Sequence, residues 1–241
     1  MMRRLRIGIR LAAMAAWLLV CIPAHLVIYG ILRRRIVPPV FLGGIALIAG
    51  VRIDTAGKLA RPRAILLANH VSWLDIPVLA ATTGAAFVAH DGLADSKFLK
   101  WLCEMNDTVF IARTRRATVA HQVSQVREAL DTMHMLVLFP EGTTGDGSAL
   151  LPLKSSLLSA IEPTPEHVNV QPVLVDYGTA AREIAWVGDE PGLENFFRLL
   201  GRPRALPVTV RFLEPLAGTD LAGRKHIARA AQHALTRAIA G

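Results

Sequence analysis

From Leu11 to Leu32 the chain reads LAAMAAWLLVCIPAHLVIYGIL, 22 residues without one formally charged side chain. About 20 such residues suffice to cross the hydrocarbon core of a bilayer as a helix. A helix that is apolar all round must find lipid or a large protein interior, and 241 residues supply one domain-sized core at most. The apolar fraction of 52% is above the soluble range, which places some of that surface against lipid. Pro23 should kink the helix and His25 is costly at mid-bilayer, so a tilted or interfacial seating stands beside a clean span. A second apolar stretch, IVPPVFLGGIALIAG at 36–50, is too short to span and is broken by Pro38 and Pro39. It reads as a re-entrant or interfacial helix paired with the first. Residues 1–50 are therefore expected to form an N-terminal membrane anchor, with one folded domain over 51–241.

The net charge of +8 is concentrated at the same end. Arg3, Arg4, Arg6, Arg10, Arg33, Arg34 and Arg35 lie in residues 1–35 with no acid among them. Arginines bracketing an apolar stretch are what anionic lipid headgroups hold, whereas a nucleic-acid-binding domain spreads them over a folded face. No nucleic-acid partner is expected. Cys21 and Cys103 are solitary, with no His at ligand spacing, so neither a disulfide framework nor a zinc site is indicated. Leu18-Leu19-Val20-Cys21 fails as a lipoprotein cleavage box, because Val stands where a small residue is needed. The segment is read as retained.

After Gly50 short apolar runs alternate with longer amphipathic ones, the pattern of an α/β domain. Strands are expected at Val51–Thr55, Ala64–Ala68, Ala86–His90, Thr108–Ala112, Met135–Phe139, Val168–Val175, Ile184–Val187 and Pro207–Phe212. Helices are expected at Ser72–Thr82, Ala94–Met105, Arg115–Met133, Leu153–Ile161 and from Asp220 to the C-terminus, where an Ala-rich sequence favours helix.

Two stretches carry chemistry, each placed directly after an apolar strand. The first is NHVSWLD, Asn69 to Asp75. His70 and Asp75 are five apart, about 140° out of register on a helix, so they meet only if His70 precedes the helix. Ser72 is a good N-cap with Asp75 three residues on, which puts His70 in the loop and Asp75 in the first turn. An Asp there can hold an imidazole in the tautomer that takes a proton from a hydroxyl. It can equally complete a capping box and do no chemistry, and spacing does not decide between these. About a third of one H-x-x-x-x-D match is expected by chance, and His90 with Asp95 is a second one, without the Asn before it or the Ser-Trp inside it.

The second stretch is FPEGTTGDGSALLPLKSS, Phe139 to Ser156. Pro140 ends the strand, the glycines allow tight turns that expose backbone N–H groups, and Glu141 stands at the strand's mouth. Such a loop can bind an oxyanion or a polar headgroup. Gly142 and Gly147 have P-loop spacing, but Ser148 and Ala149 stand where Lys and Ser/Thr are required. No G-x-S-x-G nucleophile elbow occurs. Between the two stretches lies TVFIARTRRA, in which arginines at a strand end can bind an anionic headgroup or a carrier's phosphates. For Arg115 and Arg116 a solvated cluster is the favoured reading.

In this order NHVSWLD, VFIAR, FPEGT and VQPV (Val170–Val173) resemble the four blocks of the phospholipid/glycerol acyltransferase family, of the 1-acylglycerol-3-phosphate type. The resemblance covers roughly residues 50–215. It implies an α/β fold, a mixed sheet flanked by helices, with 51–241 as the catalytic domain. His70 is then the general base and Asp75 its partner. Arg113 is a headgroup contact, and Glu141, Gly142, Thr143 and Thr144 belong to the acceptor site. The implied donor is the thioester of acyl carrier protein or coenzyme A, with no cofactor and no metal. The acceptor is the free hydroxyl of a lysolipid in the membrane, 1-acyl-sn-glycerol-3-phosphate or lyso-ornithine lipid. Because the carriers are cytosolic, the active site is expected on the cytoplasmic face of the inner membrane. The family's usual FPEGTR has an Arg where this chain has Thr144. FPEGTTGDGSALLPLKSSL followed by AWVGDE is closer to the lyso-ornithine-lipid branch, whose acceptor lacks a phosphate. A catalytically inactive membrane scaffold is the alternative, and the presence of His70, Asp75, Glu141 and Gly142 weighs against it.

The choice between the two His–Asp pairs is testable. His70→Ala is expected to lower acyl transfer by ~10²–10⁴, the usual contribution of a positioned general base, whereas His90→Ala leaves the rate nearly unchanged. Equal losses in an acyl-transfer assay would show that the wrong pair has been chosen.

Overall fold

The computed structural model describes residues 1–33, 36–90, 109–111 and 119–241. The strand AILLA, β2 (Ala64–Ala68), has no exposed side chain at any position. An unbroken apolar strand of this kind is covered on both faces, as in a parallel sheet with helices above and below. The neighbours confirm it. Among the described residues seven strands form one sheet, with β1 (Val51–Gly57), β3 (Ala86–His90), β4 (Val109–Ile111), β5 (Met135–Leu138), β6 (Asn169–Asp176) and β7 (Leu206–Phe212) joining β2. Their order is β1-β7-β6-β2-β5-β3-β4. β2 lies parallel to both β5 and β6, and the β6–β7 pair is antiparallel, so the sheet is mixed.

The side chains of β2 divide between two cores. Leu66 and Ala68 join the layer that holds α2 (Val37–Ala49), α3 (Asp75–Thr83) and α5 (Gly192–Leu200). Ile65 and Leu67 face α4 (Val119–Met133), a 3-10 helix at Ser155–Ile161 and α6 (Arg224–Ala240).

The long N-terminal helix α1 (Met2–Leu32) contains Pro23 and is the one described helix long and apolar enough to cross a membrane. α2 is paired with it, as the sequence suggests, but also packs on the folded domain. Gly43 comes against Ala81 of α3, and Ala46 and Ala49 are buried in the core. Two of the N-terminal arginines face protein rather than lipid. Arg6 donates to the carbonyl of Gly201, and Arg10 donates to those of Leu200 and Arg202. These carbonyls close α5, so the cations meet the negative end of its dipole.

Several expected elements are shifted. Ile184–Val187 is no strand: Ile184 closes a helical turn, Ala181–Ile184, and the backbone N–H of Trp186 goes to the Val71 carbonyl instead of a ladder. A four-residue apolar run carries too little periodicity to distinguish the two. α3 begins at Asp75 rather than Ser72, the 153–161 helix is a 3-10 helix, and α6 begins at Arg224 after a 3-10 turn at Gly218–Leu221. The expected helix Ala94–Met105, together with Asp95, Cys103, Arg113, Arg115 and Arg116, lies outside the described residues.

α1 and α2 touch where Trp17 lies over Gly44 and its indole N–H donates to the Phe41 carbonyl at 3.1 Å. A Cβ on Gly44 would fall 2.1 Å from Trp17 Nε1. Gly44→Val is therefore expected to lower stability by about 1–3 kcal/mol through overpacking. Gly8→Ala, whose Cβ meets nothing within 4 Å, should leave thermal unfolding in detergent unchanged.

Candidate active site

Three adjacent strands, β5, β2 and β6, run in the same direction and end side by side. Crevices outside the carboxyl ends of such strands are where open α/β sheets bind ligands. NHVSWLD leaves β2 there, FPEG leaves β5 and Asp176-Tyr177 leaves β6. Asn69 extends the ladder with its side chain: its amide donates to the Val175 carbonyl at 3.1 Å and its oxygen accepts the Val175 N–H at 2.7 Å. His70 is thereby the first residue free of the sheet.

His70 and Asp75 are brought together. His70 Nδ1 stands 2.7 Å from Asp75 Oδ2, and the same oxygen accepts the backbone N–H groups of Val71 at 2.7 Å and Ser72 at 2.9 Å. The bond from Ser72 N–H is half of the capping box, so Asp75 shapes the turn and holds the imidazole with one oxygen. The Ser72 hydroxyl takes the N–H of Leu74, not that of Asp75, which is why the helix starts late. The other oxygen, Oδ1, accepts the Tyr177 hydroxyl at 2.7 Å. Burial, and then the adjacent Asp75 charge, push the Tyr177 phenol well above its ordinary range, which keeps it a donor. A carboxylate that always accepts at Nδ1 fixes the proton there and leaves Nε2 as the basic nitrogen.

Glu141 is 2% exposed, and both its oxygens are occupied. Oε1 accepts the His70 backbone N–H at 2.7 Å and Oε2 accepts that of Leu151 at 2.8 Å. Burial raises its pKa, against the pull of those two N–H groups. In this position it fastens the FPEG loop to the backbone of His70. The His70 carbonyl accepts from Gly145 N–H at 2.7 Å, and the ring stacks on Phe139 at 4.1 Å. Gly142 turns the loop at φ 71°, a conformation open to few residues but Gly, and its N–H closes back on the Phe139 carbonyl. A Cβ there would meet Lys154 Nζ at 3.3 Å, so a cation lies beside this turn. Thr143 is exposed. Thr144 donates its hydroxyl to the Trp186 carbonyl, tying the loop to the segment after the helical turn. Arg198 and then Asn195 hold that segment through Glu190, whose pKa is lowered to about 2.

A cavity of about 280 Å³ opens beside His70, lined among others by His70, Glu141, Ser148, Leu150, Asp176 and Tyr177. Sequence reasoning did not single out Tyr177 or Trp186. Tyr177 had a signal: Asp176-Tyr177-Gly178 follows an apolar strand directly, as Asn69-His70 and Pro140-Glu141-Gly142 do.

An imidazole held by a carboxylate beside a cavity is an arrangement able to activate a hydroxyl for group transfer. The family model described as Acyltransferase matches residues 51–176. A curated relative from Brucella abortus (strain 2308), lyso-ornithine lipid O-acyltransferase, is 35% identical over 95% of this chain and 92% of its own length. Another so named, from Rhizobium meliloti (strain 1021), is 37% identical over 76% and 68%. The chain belongs to the acyltransferase family. The crystal structure of the 1-acyl-sn-glycerophosphate (LPA) acyltransferase from Thermotoga maritima shares its fold, with a TM-score of 0.65 at 18% identity over 99% of this chain and 96% of that one.

Tyr177→Phe removes one donor and leaves Asp75 Oδ1 buried without it. A loss of about 1–3 kcal/mol is expected, seen as a lower Tm, together with a roughly tenfold lower kcat if the freed carboxylate tilts from His70. An unchanged kcat would show that the dyad does not need this third element.

Proposed function

We propose that this enzyme transfers a fatty acyl group from the thioester of acyl carrier protein or coenzyme A to the free hydroxyl of a lysolipid, with lyso-ornithine lipid as the acceptor. The observation that carries the reading is His70. Its Nδ1 is committed to Asp75 at 2.7 Å, and the residue lines the cavity, with Nε2 as the remaining base. His70 Nε2 takes the acceptor's hydroxyl proton while the oxygen attacks the thioester carbonyl. The tetrahedral intermediate collapses with cleavage of the C–S bond, and the imidazolium returns its proton to the departing thiolate. Products are an ester and a free thiol, and no acyl-enzyme is formed.

The acceptor is supported by the names of the relatives from Brucella abortus and Rhizobium meliloti. Thr144 agrees: the place the wider family gives to an Arg holds a hydroxyl already donated to the Trp186 carbonyl. The cavity stands at the lower end of the roughly 300–1,000 Å³ of ligand pockets, room for the reacting end of a lipid. Residues 1–50 act as the anchor, with α1 seating the domain on the cytoplasmic face of the inner membrane, within reach of soluble carriers.

Purified enzyme given equal lyso-ornithine lipid and lysophosphatidic acid, with a labelled acyl thioester of either carrier, tests this directly. Mass spectrometry should find the acylated ornithine lipid as the main product. Phosphatidic acid as the main product would overturn the choice of acceptor, and no product with either carrier would overturn the activity.

A further inference from the structure

Outside residues 1–49, the large hydrophobic side chains that stand exposed among the described residues are Val187, Leu193 and Phe197. Single exposed apolar residues are ordinary, but a cluster on one element calls for a reason. Leu193 and Phe197 are one turn apart on α5 and share its outer face. The opposite face is buried through Asn195 and Leu199. Leu193 is 73% exposed, which is as open as residues on the free side of α1.

The C-terminal end of α5 is joined to α1. Arg6 and Arg10 bind the carbonyls that end α5, and Arg3 lies against Gly201. Arg3, Arg4 and Arg204 are exposed toward that end of α5, while Asp189 and Glu194 are exposed beside Val187 and Leu193. Apolar side chains with arginines at the end that meets α1 suit a hydrocarbon edge with headgroups on that side. The patch also reaches the site. Phe197 contacts Phe196 at 5.6 Å between centroids, and Phe196 contacts Trp73 of NHVSWLD at 5.2 Å. Trp186, next to Val187, bonds to Val71 and accepts from Thr144.

We propose that α5, with Val187, is a second bilayer-contacting surface that holds the cavity mouth at the headgroup layer, so that the acceptor reaches His70 without leaving lipid. Its last clause rests on the acyl-transfer reading. The membrane contact does not.

The test has two arms. In full-length protein with Cys21→Ala and Cys103→Ala, an environment-sensitive fluorophore is attached at Leu193→Cys or, as a control on α6, at Arg229→Cys. With vesicles of phosphatidylglycerol and phosphatidylcholine, the probe at 193 should shift to the blue and be quenched by nitroxide lipids, while that at 229 should not. Equal response of the two probes overturns the contact, whatever the enzyme acylates. In the second arm, Leu193→Ser with Phe197→Ser should lose about tenfold in kcat/KM on acceptor embedded in vesicles. Turnover of a short-chain acceptor in solution should stay within about twofold. Equal loss on both acceptors, or none on either, overturns the role in delivery.

Discussion

The carboxylate of Asp75 is wholly buried, and among the described residues it is surrounded by four hydrogen-bonding groups. A buried charge without such partners is too costly to keep. Here the backbone of Val71 and Ser72, the His70 ring and the Tyr177 hydroxyl supply them from two strand ends. Those donors exist in one place only because β2 and β6 are neighbours and the turn after His70 is folded back. The turn, the dyad and the pairing of strands therefore stand or fall together. Glu141 repeats the device from the other side, so His70 is held by its ring through one buried carboxylate and by its backbone through another.

This arrangement explains how loops can carry a rigid site. The three loops begin at adjacent parallel strands and bond to one another: Gly145 to His70, Trp186 to Val71, Thr144 to Trp186. The segment from 185 to 198 is held in turn by Glu190 with Asn195 and Arg198. In the proposed mechanism that rigidity keeps Nε2 in line with the incoming hydroxyl, and the lipid need only present its reacting end.

Strands that are apolar at every position were legible in the sequence: AILLA and MLVL are short apolar runs followed by turn residues, and both are buried strands. So were the two N-terminal helices and the grouping of NHVSWLD with FPEG. What was not legible depends on partners far along the chain. Arg6 and Arg10 read as lipid-facing by composition, yet they bond to carbonyls at 200–202. The run Ile184–Val187 read as a strand, but its N–H groups serve the helical turn and Val71. The sequence also posed capping and chemistry as rivals at Asp75, whereas one oxygen accepts from both Ser72 and His70. Periodicity reports which face is buried and is silent on which atom bonds to which.

Asp75→Asn measures the central claim most directly. The amide oxygen, in the place of Oδ2, can still accept the Val71 and Ser72 N–H groups and His70 Nδ1–H, so the turn survives, but the NH₂ takes the place of the oxygen that accepts the Tyr177 hydroxyl, and the negative charge that would stabilise an imidazolium is gone. With folding checked by circular dichroism, acyl transfer should fall by ~10²–10⁴ while thermal stability drops only modestly. Activity within a few-fold of the wild type in a folded Asp75→Asn protein would show that Asp75 shapes the turn and nothing more, and would contradict the account.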